Sequence, residues 1–305
     1  MLGSKKMKQI VILSGKGGTG KTSLAAALAT IDGPLIVADC DVDVANLHLL
    51  LQPEDEKQVR FTTGAKAVIN QSLCTRCGAC MDHCRFDAIL FHDGRFTVSV
   101  TSCDGCRLCM HVCPADAISM KESNNSFWYT GSFRNGWMVH ARLAPGEENS
   151  GKLVNVVREQ SRMLQEKRGV DTILIDGPPG TGCPAISSMS GTDLAVLVTE
   201  PSRSAFHDLI RVKELTDRFH IPSAVVINKY DLNGQITVEI AEWCGREGIP
   251  LVGMIPFEPE VVEAMLHCKT VVEWAPESTA AKEILSLHQQ IFKFNRMGIH
   301  KEEEI

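Results

Sequence analysis

Residues 9–29 read QIVILSGKGGTGKTSLAAALA, which is a short apolar run, a glycine-rich turn and an alanine-rich stretch. The apolar run has the length of a buried strand, and alanine and leucine favour a helix after the turn. The turn fits the pattern G-x-x-x-x-G-K-[ST] from Gly15 to Thr22, in the strand, loop and helix context that the pattern requires. These residues therefore predict a loop that binds phosphate groups.

The residues of this loop are suited to different parts of a nucleotide. Glycines allow backbone N–H groups to converge on phosphate oxygens at a helix N-terminus, where the helix dipole adds positive potential. We expect Lys21 to reach the β- and γ-phosphates and Thr22 to coordinate Mg²⁺. The predicted nucleotide-binding residues of the loop are Gly15, Lys16, Gly17, Gly18, Thr19, Gly20, Lys21 and Thr22.

Further short apolar runs alternate with helical patterns along the chain. The runs lie at 35–38, 172–175, 194–199, 224–227 and 251–255, and the helical patterns lie at 203–219, 235–247 and 258–267. Apolar runs without polar alternation are typical of strands that are buried on both faces. The order of these segments predicts an α/β fold, with a mostly parallel sheet and helices on both faces.

Eight of the twelve cysteines repeat one spacing between the second and third of the predicted strands. A C-x2-C-x2-C-x3-C run holds [4Fe–4S] clusters, and its fourth cysteine ligates the other cluster of the pair. We therefore assign Cys74, Cys77, Cys80 and Cys113 to cluster 1, and Cys84, Cys103, Cys106 and Cys109 to cluster 2. Zinc is the alternative, but structural zinc sites use two cysteine pairs with a longer gap between them.

The two cysteine runs belong to an internal repeat. Each run is followed by the tripeptide Asp-Ala-Ile, at 87–89 and at 116–118. We therefore predict a small α+β domain of the bacterial ferredoxin type, inserted at 64–122. The P-loop domain then consists of two parts, 7–63 and 123–305.

Composition excludes several classes of partner. The net charge of -6 gives no basic face for nucleic acid. No apolar run approaches the roughly 18 residues that span a bilayer, and residues 1–8 are too short and too polar for a signal peptide. We predict a cytoplasmic protein that keeps its thiols reduced and binds neither nucleic acid nor a membrane interior.

Because Lys16 directly follows the first glycine, the loop resembles the deviant Walker A motif of the MinD/ParA/Mrp superfamily of P-loop ATPases. In that family this lysine contacts nucleotide across an ATP-bound dimer. Residues 37–41 with Asn46 resemble its switch I, and residues 175–180 resemble its switch II. The resemblance implies ATP and Mg²⁺ as cofactors and a homodimer that forms on ATP binding.

The same resemblance assigns roles to individual residues. Catalysis falls to Lys16, Lys21 and Asp41, of which Asp41 positions the attacking water. Asp39 supports the Mg²⁺ site, Asp176 holds the Mg²⁺ shell through water, and Gly180 senses the γ-phosphate.

The nucleotide base is assigned by position in the sequence. Asn228, Lys229 and Pro256 lie where relatives in this superfamily bind the base. Residues 228–231 also read N-K-x-D, which resembles the guanine reader of GTPases, so GTP is the alternative to ATP. A turn residue is the simpler interpretation of Asp231.

The whole chain resembles MinD-like ATPases that carry an inserted ferredoxin domain. Such proteins share the segments 147–154 and 199–202 with His207 and Asp208, although Glu147, Glu148 and Lys152 also suit a helix entry. The resemblance implies ATP-dependent electron transfer through two [4Fe–4S] clusters to or from a partner protein.

Two other functions remain open at this point. An iron–sulfur assembly or delivery factor like Mrp is one, although a second Cys-x-x-Cys pair near the C-terminus is missing. A spatial organiser like MinD is the other, although it needs a basic amphipathic helix and residues 300–305 are mainly acidic.

Two isolated cysteines adjoin the switch segments. Cys40 beside an apolar strand is predicted to be a small buried hydrophobe. Cys183 follows a glycine-rich loop that could bring it near the nucleotide or a second subunit, but structural packing is the simpler interpretation.

Overall fold

The apolar runs fold as parallel strands of one large sheet in a computed structural model, which describes residues 8–294 except 63, 124, 146, 148 and 149. The strands are β1 (Lys8–Ser14), β2 (Leu35–Asp39), β3 (Glu54–Phe61), β4 (Gly64–Ile69), β5 (Ile89–His92), β6 (Arg95–Val98), β7 (Ile118–Ser123), β8 (Ser126–Phe133), β9 (Gly136–Arg142), β10 (Thr172–Pro179), β11 (Leu194–Thr199), β12 (Ser223–Asn228) and β13 (Leu251–Ile255). The helices are α1 (Lys21–Ala29), α2 (Leu47–Leu51), α3 (Ala79–Asp82), α4 (Leu108–His111), α5 (Ser150–Arg168), α6 (Cys183–Met189), α7 (Arg203–Arg218), α8 (Gly234–Arg246), α9 (Pro259–Leu266), α10 (Val271–Trp274) and α11 (Thr279–Phe294).

The main sheet has nine strands in the order β13-β12-β11-β1-β10-β2-β9-β8-β3. The pairs from β13 to β9 are parallel, whereas β8 and β3 are antiparallel additions at one edge. The prediction of a mostly parallel α/β sheet is confirmed. It omitted β3, β8 and β9. Of these, β3 is a largely exposed polar strand, and its sequence EDEKQVRF resembles a loop.

Both faces of the sheet are covered by apolar layers. Ile10 and Ile12 of β1 point into the layer formed with α1 and α11, and Val11 and Leu13 point into the layer formed with α5, α7 and α8. Successive side chains of a strand point to opposite faces, so a strand between two layers has apolar residues at every position. Burial on both faces therefore explains the uninterrupted apolar runs.

The cysteine-rich segment lies between β3 and β8 in the chain. β3 pairs with β8, and β4 pairs with β7 from Gly64 opposite Ser123 to Ile69 opposite Ile118, so two antiparallel ribbons follow each other along the chain. β5 and β6 form a hairpin. A separate small apolar cluster forms here and includes Cys80 and Phe96. The division into domains at 64 and 122 stays a prediction.

Three stacked aromatic rings join β8 and β9 of the main sheet to α2, the helix that follows switch I. The ring centroid of His140 lies 4.8 Å from that of Tyr129 and 5.4 Å from that of His48. His140 Nε2 lies 3.0 Å from Asp55 Oδ1. Burial lowers the pKa of His140, and Asp55 offsets this only in part. The stack therefore packs a mainly neutral imidazole between α2 and β8, the strand of the main sheet that follows the cysteine-rich segment.

The described helices are those of a layered α/β protein. The longest of them, α5, has 19 residues and is amphipathic. Within residues 8–294, leaving aside the undescribed positions, no helix combines the length and the apolarity needed to cross a membrane. α11 packs Ile284, Leu287 and Ile291 against the sheet. The acidic residues at 300–305 lie outside the described residues.

Candidate functional site

The phosphate-binding loop lies between the carboxyl end of β1 and the first turn of α1. Gly18 and Gly20 adopt the left-handed φ values of 81° and 89°, which strain any residue with a Cβ. A Cβ at Gly20 would also lie 2.2 Å from Asn228 Nδ2. The loop lines a cleft of about 460 Å³, together with Asp41, Asn228, Lys229 and Pro256. The fold thus brings the predicted phosphate, switch I and base residues to one cleft.

Lys21 lies among carboxylates at the base of this cleft. Its Nζ atom is 3.2 Å from Asp176 Oδ1 and 3.4 Å from Asp41 Oδ2, and Thr22 Oγ1 donates a hydrogen bond of 2.7 Å to Asp176 Oδ2. Burial lowers the pKa of Lys21, but Asp176 and Asp41 outweigh that effect and the pKa is raised. Burial raises the pKa of Asp41 against the opposing effect of Lys21. Lys21 is therefore held as a cation beside Thr22.

The oxygen atoms around Lys21 suit a divalent cation. Asp39 is fully buried, and burial raises its pKa well above the usual range. Its Oδ1 atom accepts a hydrogen bond from Asp41 N, whereas Oδ2 has no hydrogen-bond partner among the described residues. Mg²⁺ favours hydroxyl, carboxylate and water oxygens. Thr22, Asp176 and Asp39 thus fit the ligand set that the sequence predicts, and a water of the Mg²⁺ shell would satisfy Asp39 Oδ2.

Lys16 is paired within its own chain. Its Nζ atom lies 2.7 Å from Glu200 Oε1, and it donates to Ser202 Oγ at 3.2 Å and to Ser204 Oγ at 3.3 Å. Lys229 also contacts Glu200, at 3.2 Å, and donates to Gly18 O at 3.0 Å. Burial raises the pKa of Glu200, but the two lysines outweigh that effect and lower it. The segment at 199–202, for which the sequence suggests no mechanism, therefore holds Lys16.

The base-binding end of the cleft is fixed by hydrogen bonds within the chain. Asn228 Nδ2 donates to Thr19 O at 2.8 Å. Asp231 Oδ1 accepts from Phe257 N at 2.8 Å and so joins the 3-10 helix at 230–232 to the loop that contains Pro256. This contact gives Asp231 a partner within the chain, and its interpretation as a turn residue stays a prediction.

Comparison with known proteins agrees with this geometry. Residues 10–271 match the family model of the CobQ/CobB/MinD/ParA nucleotide binding domain. The chain belongs to this family. The septum site-determining protein MinD of Pyrococcus horikoshii, solved in complex with Mg-ADP, has the same fold, with a TM-score of 0.58 at 21% identity over 96% of this chain and 99% of that one.

Two sequence relatives extend the comparison. An uncharacterized protein of Methanocaldococcus jannaschii is 36% identical over 228 residues, which are 74% of this chain and 79% of that protein. An iron-sulfur cluster carrier protein of Aquifex aeolicus is 30% identical over 132 residues, which are 39% of this chain and 36% of that one. The chain is thus a MinD/ParA-like P-loop ATPase by family.

Two contacts near the phosphate-binding loop of this MinD/ParA-family protein are not predicted by any local sequence pattern. A Cβ at Gly15 would lie 2.3 Å from Asp208 Cβ, so Asp208 of α7 requires glycine at this position. Gly180, with φ of 85°, donates from its N–H to Ser14 O at 2.9 Å. Switch II is therefore in direct contact with the strand that carries the phosphate-binding loop.

The eight clustered cysteines of this family member line two cavities. Four of them, Cys74, Cys77, Cys80 and Cys113, line one cavity together with Phe96 and Ile118. The other four, Cys84, Cys103, Cys106 and Cys109, line the second. Each cavity thus combines three cysteines of one run with the fourth cysteine of the other run. In the described part of the chain, no three His, Cys, Asp or Glu side chains converge closely enough to hold one metal ion.

The isolated cysteines differ in their surroundings. Cys40 is fully buried, as predicted, and burial raises the pKa of its thiol. Cys183 is exposed as the first residue of α6, and a Cβ at Gly151 of α5 would lie 3.7 Å from its Cβ.

Proposed function

We propose that this MinD/ParA-family protein hydrolyses ATP in a nucleotide-dependent dimer and couples that switch to electron transfer through two [4Fe–4S] clusters bound by residues 64–122. The observation that carries the proposal is the pair of four-cysteine cavities in a chain that also contains a phosphate-binding loop. Clusters of this kind transfer single electrons at potentials set by their surroundings. The partner that exchanges those electrons is a protein.

The cysteine sets support a four-iron cluster better than a single ion. Four thiolates around one zinc ion, with bonds of about 2.3 Å, lie about 3.8 Å from one another. Thiolates around a cubane of four irons lie farther apart, and among the described residues neither set of cysteines forms a single-ion site. Ala117 N also donates to Cys113 Sγ at 3.3 Å, and hydrogen bonds to the sulfurs are among the features that set the potential of such a cluster. Cys74, Cys77, Cys80 and Cys113 would hold one cluster, and the other set would hold the second.

The nucleotide cleft supports phosphoryl transfer to water. In this proposal Lys21 neutralises charge on the β- and γ-phosphates, and Asp41 orients the attacking water. Lys16 has to leave Glu200 before it can reach a nucleotide in a second subunit. ATP is favoured over GTP because the MinD relative was solved with Mg-ADP and because Asp231 is engaged by Phe257.

The test of coupling is an anaerobic titration of the cluster reduction potentials, with and without a non-hydrolysable ATP analogue and Mg²⁺. We expect a shift of about 60 mV in a one-electron couple, which is a tenfold change in the equilibrium constant. The same titration of Lys21→Ala protein, which lacks the phosphate-binding cation, is the control and is expected to give no shift. An unchanged potential in wild-type protein with nucleotide bound would overturn the coupling.

A second candidate function is the delivery of iron–sulfur clusters to other proteins. It is favoured by the partial match to the Aquifex aeolicus carrier protein. The two functions differ in whether the clusters stay in the chain. Adding ATP to the loaded protein together with an apo-ferredoxin separates them, because a delivery factor transfers its iron to the acceptor and an electron-transfer protein retains it.

The contact between Lys16 and Glu200 gives a test of the dimer switch. In Glu200→Gln protein we expect the ATP-bound dimer to form at a protein concentration about threefold to tenfold lower than in wild type. The reason is that partly exposed ion pairs are worth about 0.2–1 kcal/mol each, and Glu200 makes two of them with lysines of the cleft. Sedimentation of the protein with a non-hydrolysable ATP analogue, over a series of protein concentrations, measures the dimer dissociation constant.

Glu239→Gln is the matched control for this measurement. It removes the same charge from the ion pair with Arg203, which lies at the surface. Its dimer dissociation constant is expected to equal that of wild type. A Glu200→Gln protein that dimerises no better than wild type would show that Glu200 does not restrain Lys16.

A further inference from the structure

Glu147 is a nearly buried carboxylate at the point where the chain returns from the cysteine-rich segment. Its side chain is only 9% exposed, and Ser126 is fully buried. Ser126 Oγ donates to Glu147 Oε2, and Asn125 N donates to Glu147 Oε1 at 3.4 Å. Ser126 Oγ in turn accepts a hydrogen bond of 3.0 Å from Ala144 N. We call Glu147, Ser126 and Asn125 the clasp.

The clasp fixes the junction between β7 and β8. A buried carboxylate is stable only where hydrogen bonds replace its lost water, so its donors cannot move independently of it. Ser126 is the first residue of β8, and β7 ends at Ser123. β7 follows Cys113 and Ala117, which both line the cavity of cluster 1. A displacement of Glu147 therefore acts directly on Asn125 and Ser126, where the chain that returns from Cys113 through β7 enters β8.

On its other side, Glu147 precedes α5, which is attached to α6. A Cβ at Gly151 in the first turn of α5 would lie 3.6 Å from Ser187 Oγ and 3.7 Å from Cys183 Cβ, so the two helices are in close contact there. Arg158 of α5 donates to the backbone oxygens of Ser187, at 3.0 Å, and of Ser190. α5 and α6 are thus joined at two levels by packing and by hydrogen bonds.

α6 is connected to the nucleotide cleft through switch II. The helix begins at Cys183, three residues after Gly180, whose N–H donates to Ser14 O beside the phosphate-binding loop. A change in the position of Gly180 on nucleotide binding therefore reaches α6 first. α5 also packs against β9, which pairs with β8, and the chain leads from α5 back to Glu147 through residues 148 and 149, which lie outside the described residues.

We propose that Glu147 is a positioning residue that transmits the nucleotide state of the cleft to the cysteine-rich segment. This inference rests on the proposed function, because it names the contact through which that coupling passes. It also gives a role to Glu147. This residue belongs to the segment 147–154, for which the sequence alone suggests no mechanism. A series of contacts does not by itself establish coupling, so the test measures the coupling directly.

The experiment is hydrogen–deuterium exchange of the anaerobic, cluster-loaded protein with and without a non-hydrolysable ATP analogue and Mg²⁺. In wild-type protein we expect the analogue to change the exchange rates of the amides in β7 by about tenfold. In Glu147→Ala and in Ser126→Ala protein we expect this change to fall below about twofold. The double variant is expected to equal the single variants, because both residues act through one contact.

Glu159→Gln is the matched control, because Glu159 is an exposed glutamate of α5, the helix that follows Glu147. It is expected to retain the tenfold change of wild type. Glu147→Gln retains the size of the side chain and one accepting oxygen, and is expected to lose only part of the change. It serves as the second variant if Glu147→Ala protein does not fold.

The outcomes distinguish this inference from the proposed function. Loss of stability alone would raise exchange equally with and without nucleotide, so the difference between the two conditions would persist. If Glu147→Ala protein retains both clusters and its β7 exchange rates still change with nucleotide, the clasp does not transmit the nucleotide state. The proposed function stands in that case. If wild-type protein binds the analogue and β7 does not respond, the inference and the proposed coupling both fail.

Discussion

Lys21→Ala protein is expected to hydrolyse ATP about a thousandfold more slowly than wild type. Lys21 is the cation at the base of the cleft, and it lies 3.2 Å from Asp176 and 3.4 Å from Asp41. Without it, negative charge on these carboxylates would repel the phosphates of the nucleotide, and no cation would neutralise the charge that develops on them. Release of phosphate, measured over a range of ATP concentrations, gives kcat and KM separately.

Lys213→Ala is the control for this substitution. Lys213 pairs with Asp217 four residues later on α7, away from the cleft. Its removal is expected to leave kcat and KM unchanged. Since Lys21→Ala leaves buried carboxylates unpaired, the melting temperature of each variant is measured in parallel. A folded Lys21→Ala protein with a rate within about tenfold of wild type would contradict the role of Lys21.

The central strands were predictable because their burial leaves a local signature. β11 matches the predicted run residue for residue, since a strand covered on both faces needs apolar side chains throughout. β3 was not predictable in this way, because it lies at the edge of the sheet and pairs only with β8. Its assignment depends on a partner strand more than 60 residues away, which no local pattern reports.

The site was predictable where the motif residues follow parallel strands. Asp39 and Asp176 end up opposite each other because β2 and β10 pair in register, with β1 on the other side of β10. The contacts of Glu200, Asp208 and Glu147 were not predictable. Each is formed by residues that are distant in sequence, and their residue types also suit exposed loops and helix starts.

The crossed assignment of the cysteines gives the second prediction with a large effect. Cys113→Ala protein is expected to contain about four irons per chain, whereas wild type contains about eight. Cys113 follows Cys103, Cys106 and Cys109 in the sequence but lines the cavity of Cys74, Cys77 and Cys80. Its loss should therefore remove the cluster of the first run. Iron analysis of anaerobically purified protein measures the loss.

Two further substitutions establish which cluster is lost. Cys80→Ala belongs to the same cavity as Cys113, and Cys109→Ala belongs to the other one. The electron paramagnetic resonance spectrum of the reduced Cys113→Ala protein should match that of Cys80→Ala and differ from that of Cys109→Ala. Cys183→Ala, an exposed cysteine outside both cavities, is the control that keeps eight irons.

The comparison is decisive because the two arrangements make opposite predictions from the same residues. If each run held its own cluster, Cys113→Ala would match Cys109→Ala, since the two cysteines belong to one run. If the thiols held zinc, every variant would lack iron. In the crossed arrangement, the β4–β7 ribbon and the helices α3 and α4 hold the two runs together. Loss of the fourth cysteine of one run therefore removes a ligand from the cluster of the other run. The spectra therefore test the fold of the cysteine-rich segment as directly as they test its metal.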